Sequence, residues 1–134
     1  MSEPPPRDGP ILVVDDDRDV RESLRDVLAD EGFETAEAAD GREALVYLRV
    51  HAARCPLVLL DWNMPEMDAP ALLAALAKEP EIARPPMILL TADSRMLEQA
   101  SPGDYVALMK KPVNLGKLFE LVRRFQPGAA TDPG

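Results

Sequence analysis

The chain repeats one two-part unit: a short, continuously apolar run that ends on a polar residue, then a segment with helical spacing. The runs are Ile11–Val14, Leu57–Leu60, Met87–Leu90 and Tyr105–Met109, with a weaker one at Phe33–Ala38. Runs this short and this apolar suit strands covered on both faces. Between them, Val20, Leu24, Val27 and Leu28 fall on one face of a helix that Gly32 stops. Asp40-Gly41 turns the chain, and Ala44, Leu45 and Leu48 mark a second helix. A third runs from Pro70 to Lys78, and Ser94 can cap a short fourth one reaching Ala100. Asn114 caps a last helix with Leu115, Leu118, Phe119, Val122 and Phe125 on one face. Five such repeats predict a (βα)5 α/β fold, a doubly wound, five-stranded parallel sheet with helices on both sides.

A chain of 134 residues fits one domain. Ser2–Pro10 is Pro-rich and the segment from Pro127 is rich in Gly, Ala and Pro. Neither can bury much apolar surface, so residues 1–8 and 127–134 read as disordered tails around a domain at 9–126. The net charge of −9, without a basic cluster, argues against nucleic-acid binding. The single cysteine excludes an internal disulfide. No apolar run approaches the roughly 20 residues of a membrane span, and the start is unlike a signal peptide, so the expected location is cytoplasmic.

The polar residues ending the runs form a set. Asp15, Asp16 and Asp17 follow the first strand, Asp61 the third, Thr91 the fourth, and Lys110, Lys111 and Pro112 the fifth. In an open parallel sheet these positions share the rim where ligands bind. Carboxylates are the hard oxygen ligands that Mg²⁺ prefers. Packed together they repel, and a divalent cation relieves that cost and keeps Asp61 ionised. An aspartate can take a phosphoryl group covalently, Thr91 can donate to a phosphoryl oxygen, and Lys111 can pair with another as a point charge.

Ile11-Leu-Val-Val-Asp-Asp-Asp17, Leu60-Asp-Trp-Asn-Met-Pro65, Leu90-Thr-Ala92 and Lys111-Pro112 stand in order along the chain. Together they resemble the signature blocks of response-regulator receiver domains of two-component signalling, in the style of a single-domain chemotaxis regulator. The resemblance implies a flavodoxin-like strand order 2-1-3-4-5 and a phosphoacceptor at Asp61. It implies a Mg²⁺ (or Mn²⁺) site with Asp16 as a direct ligand, Asp15 in support, Asp61, and the Asn63 carbonyl. Thr91 and Lys111 would contact the phosphoryl group, and the Lys111–Pro112 bond would be cis. The partners implied are a sensor histidine kinase or a histidine phosphotransfer protein, and a downstream protein target that the sequence does not name. The chain would be no enzyme beyond catalysing its own phosphorylation and dephosphorylation.

Other residues carry plainer expectations. Asp17 caps the first helix, and Lys110 is solvated. His51 lies on the surface, Cys55 is structural, and Met64 and Met67 pack in a loop. Trp62 is expected partly exposed on the rim. Asn63 and Asp93 resemble the pair that tunes water access in fast-cycling regulators, which implies a short-lived phospho-form. The Thr91–Lys111 stretch is short for the family, with Leu108 where an aromatic switch residue is usual. Strand alternation puts the nearest ring, Tyr105, on the opposite face, so phosphorylation is expected to change order in Ala92–Asp104 more than to flip a ring. Three competing readings stay open: a relay intermediate, a scaffold without phosphorylation, and a hydrolase using the D-x-D pair Asp15 and Asp17.

Overall fold

The structure, a computed structural model, describes residues 6–64, 67–93, 95 and 102–125. The described elements alternate as β1 (Ile11–Val14), α1 (Arg18–Asp30), β2 (Thr35–Ala38), α2 (Gly41–His51), β3 (Val58–Asp61), α3 (Ala69–Ala77), β4 (Met87–Thr91), β5 (Ala107–Lys110) and α4 (Leu115–Phe125). Short 3-10 turns stand at Ala52–Arg54 and Pro102–Asp104. The helix expected from Ser94 to Ala100 falls, apart from Arg95, outside the described residues.

All strand pairings are parallel, in the order β2-β1-β3-β4-β5. From β1 the chain goes outward to β2, then returns to place β3 on β1's other side. The strand order therefore reverses between β1 and β3, and a crevice opens beyond their carboxyl ends.

Two-residue alternation divides the core. Leu12, Val14, Val58, Leu60, Met87 and Leu89 point to the side of α2 and α3. Ile11, Val13, Leu57, Leu59, Ile88, Leu90 and Met109 point to the side of α1 and α4. Cover on both faces is why β1, β3 and β4 carry no solvated position.

Side-chain caps set the helix starts. Asp17 accepts from the Asp19 and Val20 amides, Asp40 from Glu43, Asp68 from Ala71, and Asn114 from Lys117. Gly32 ends α1 at φ 90°, with its own amide donating to Ala29 and the Phe33 amide reaching back to Leu28. Phe33, expected within β2, is a buried plug just before it.

The ordered contacts reach back beyond the expected boundary at Gly9. Arg7 donates to the carbonyls of Ala52 (2.7 Å), Cys55 (2.9 Å), Ala83 (3.1 Å) and Arg84 (3.4 Å), and Asp8 pairs with Arg54. Composition assigned both residues to a tail. Their partners are mostly main-chain carbonyls, which composition does not register. Among the described residues no helix is long and apolar enough to cross a membrane.

Candidate functional site

Strand parity decides which of the rim residues meet. Asp15 continues the alternation of Ile11 and Val13, Asp61 that of Leu57 and Leu59, and Lys111 that of Ala107 and Met109. All three side chains therefore leave the sheet on the same side. Lys111 Nζ lies 3.0 Å from Asp15 Oδ2 and 3.0 Å from Asp61 Oδ1. Asp15 and Asp61 are buried, at 1% and 5% exposure, while Asp16 is exposed. One carboxylate oxygen from each of Asp15, Asp16 and Asp61 comes within 4.8 Å of the other two.

Every polar group of Asp15 is engaged. Its amide donates to Ala38 (3.2 Å) and its carbonyl accepts from Arg21 Nη1 (2.8 Å). Its Oδ1 accepts from the Asp17 amide (2.9 Å), and its Oδ2 takes Lys111. Lys111 is itself held by its amide, which donates to the Thr91 carbonyl at 2.7 Å, and the Lys111–Pro112 bond is cis, as the resemblance implies.

The electrostatics are unbalanced. Burial pushes the Asp61 carboxyl up to about 6 and the Asp15 charge adds to the rise, against the Lys111 ammonium, which lowers it. For Lys111, desolvation is the largest influence and favours the neutral amine. The hydrogen bonds to Asp15 and Asp61 together outweigh it, so its pKa is raised. One ammonium thus faces three carboxylates. Three hard oxygen donors with a net negative charge on a partly exposed rim fit a divalent cation.

The sequence profile of the response regulator receiver domain matches residues 11–123. The chain belongs to the response regulator receiver family. It is 36% identical over 97 residues to the chemotaxis protein CheY of Pseudomonas aeruginosa, a match covering 69% of this chain and 77% of CheY. It is 36% identical over 126 residues to the response regulator MprA of Mycolicibacterium vanbaalenii, covering 92% of this chain but 53% of that protein. Among solved structures, the signal receiver domain of a signal transduction histidine kinase from Syntrophus aciditrophicus superposes with a TM-score of 0.76. It has 31% identity and covers 94% of this chain and 96% of that one.

The structure corrects two further expectations. Trp62, expected partly exposed, is 1% exposed. It follows Asp61 by one residue, so it takes the opposite parity and plugs the α2–α3 side of the core with Leu72, Leu73 and Leu76. Tyr105 and Leu108, expected on opposite faces, both pack against that same side. The alternation argument fails because β5 begins only at Ala107, after a bend at Val106. Thr91 is fully buried, and its hydroxyl donates to the Asp93 carbonyl and accepts from the Asp93 amide, both at 3.2 Å. The Asp93 carboxylate is in turn held by Arg95, which lowers its pKa.

Lys110 and His51 on the surface and a buried Cys55 follow expectation. Asn63 is exposed, desolvation raises the Cys55 thiol, and Met64 packs in the core. Asp17 is spent on capping α1, which leaves no D-x-D pair of the hydrolase type in the cluster. Arg21 was not singled out by the sequence, because its acceptor at the site is the main-chain carbonyl of Asp15.

Proposed function

We propose that this receiver takes a phosphoryl group on Asp61 from a sensor histidine kinase and signals through protein contacts. The observation that carries the reading is the buried Asp61 carboxylate at the switch in strand order, flanked by Lys111 at 3.0 Å and by the Asp15 and Asp16 carboxylates. A carboxyl near 6 is still mostly ionised at neutral pH and is more basic than an ordinary aspartate.

In the forward step an Asp61 oxygen bonds to phosphorus as the phosphorus–nitrogen bond of the donor phosphohistidine breaks, and the electron pair leaves with the imidazole. Lys111 releases one carboxylate contact and pairs with a phosphoryl oxygen. Asp15, Asp16, Asp61 and the Asn63 carbonyl are the residues that would hold a Mg²⁺ or Mn²⁺ ion. When bound, the ion supplies charge neutralisation for both the carboxylates and the phosphoryl group. Thr91 must exchange its Asp93 contacts to donate to the phosphoryl group, so loading is coupled to the stretch that follows β4. Loss of the group is hydrolysis of the acyl phosphate, with water reaching it past Asn63 and Asp93. A short-lived phospho-form follows from those two positions.

A groove of about 670 Å³ opens beside Lys111, lined by Val20, Leu24, Leu90, Pro112, Val113 and Leu115. It offers a donor protein an apolar foothold next to the acceptor. The reading also places the protein in the cytoplasm with no nucleic acid as partner. The relay alternative uses the same site and returns the group to a second histidine protein.

The test is transfer of a labelled phosphoryl group from a phosphohistidine protein. Label should reach this chain in Mg²⁺ and stay on the donor in EDTA. Equal transfer in EDTA refutes the cation's part. Label that passes on to a second histidine protein selects the relay.

A further inference from the structure

Arg21 sits three residues into α1, where an arginine would ordinarily be a solvated surface charge. Its side chain is instead only 15% exposed. Nη1 donates to the Asp15 carbonyl at 2.8 Å, and Nε pairs with Glu37 on β2 at 3.1 Å. Glu37 also takes Arg25 at 3.5 Å. The guanidinium is thus fixed from two sides and aimed at the main chain of the residue whose side chain anchors the acidic cluster.

We propose that Arg21 is a positioning residue for this cluster: by holding the Asp15 carbonyl it fixes the Asp15–Asp17 turn in the form that brings the Asp15 and Asp16 carboxylates to Asp61. The inference rests on the reading of this rim as a cation-dependent phosphoacceptor site. The physical reason is the nature of the bond: a charged side-chain donor on the Asp15 carbonyl, beside main-chain and local contacts in the rest of the turn. The Asp15 amide makes a long bond to Ala38, at 3.2 Å, and the Oδ1 contact is local, to Asp17. Lys111 binds Asp15 Oδ2 at 3.0 Å, a contact for which a phosphoryl oxygen would compete under the proposed function. Once Lys111 turns to a phosphoryl oxygen, the Arg21 bond at 2.8 Å and the local Asp17 amide bond at 2.9 Å are the short contacts that continue to orient Asp15. Partners of metal ligands matter in the same way when they fix ligand orientation.

The sign of the effect separates this role from simple electrostatics. Arg21 carries a positive charge beside a cation site, so removing it should tighten Mg²⁺ binding if charge alone counted. A positioning role demands the reverse. Mg²⁺ affinity is measured by calorimetry on the full chain, with thermal melts alongside. Arg21→Met keeps the packing of the stem and removes the donors, and should weaken binding about tenfold. Arg21→Lys, which keeps a donor, should recover part of that loss. Glu37→Gln removes the charge but keeps an oxygen that accepts from Arg21 Nε, so the Arg21–Asp15 bond stays in place and binding should stay close to wild type. Binding by Arg21→Met as tight as or tighter than wild type overturns the proposal, as does an equal loss in Glu37→Gln. In either case the phosphoacceptor reading stands if the wild type still takes label in Mg²⁺. If Arg21→Met does not fold, the ratio of Arg21→Lys to Glu37→Gln affinity decides, and a lysine variant that matches the glutamine variant refutes the role. A wild type that neither binds Mg²⁺ nor takes label removes the reading itself and the inference with it.

Discussion

Replacing Asp61 with asparagine should stabilise the metal-free protein, and the gain should depend on pH. In the folded state the Asp61 carboxyl titrates near 6 instead of 3.8, chiefly because it is buried, with the Asp15 charge adding to the rise. The folded protein therefore holds this proton more tightly than the unfolded chain does. The resulting stability is fully present below about pH 3.8 and is lost as pH rises through about 6. The gap is worth at most about 3 kcal/mol, at roughly 1.4 kcal/mol per pH unit. Asparagine has no such titration. It also strands no cation, since Lys111 keeps Asp15 at 3.0 Å. Urea unfolding of wild type and Asp61→Asn at about pH 4 and about pH 7.5 reads the difference, which should widen towards the variant by up to about 3 kcal/mol at the higher pH. Saturating Mg²⁺ should narrow it, because the wild type keeps all three carboxylates for the ion. A difference that is flat between the two pH values, or that moves in favour of wild type, refutes the claim that Asp61 is held at electrostatic cost.

Lys111→Met leaves Asp15 and Asp61 buried without their shared ammonium, so the metal-free protein should lose about 3 kcal/mol in urea, and Mg²⁺ should restore part of it. Arg7→Ala removes a guanidinium bonded to four main-chain carbonyls. It should cost about 2 kcal/mol in a thermal melt while Mg²⁺ affinity stays unchanged. Gly41→Ala puts a Cβ 2.5 Å from the Met67 carbonyl oxygen, and unfolding should show a loss of about 2 kcal/mol from the forced shift. Trp62 is the single tryptophan and is buried. Emission of the native protein should be blue-shifted and resist acrylamide, and strong quenching would return its ring to the rim.

The strands were legible because cover on both faces makes them continuous apolar runs, and the polar residue ending each run gave the rim. Asp15, Asp61 and Lys111 were legible for the same reason, since a strand end in a parallel sheet has one possible location. Trp62 was misplaced although the signal was present: counting alternation one residue past Asp61 turns it into the core. Tyr105 failed in the opposite way, because alternation was applied across Val106, where the strand has not yet begun. Arg7 and Arg21 were not legible. The acceptors of Arg7, and the Asp15 acceptor of Arg21, are main-chain carbonyls, which every residue carries, so no side-chain pattern marks them. Thr91's engagement with the Asp93 backbone is hidden for the same reason.

The central claim is that Asp61, among all the carboxylates of this acidic chain, receives the phosphoryl group. Incubation with a small acyl-phosphate donor and Mg²⁺, followed by intact-mass measurement, tests it directly. Wild type should gain the mass of one phosphoryl group, with no gain in EDTA and none in Asp61→Asn. A phosphoryl adduct on Asp61→Asn, or a folded, Mg²⁺-binding wild type that stays unlabelled, would contradict the account.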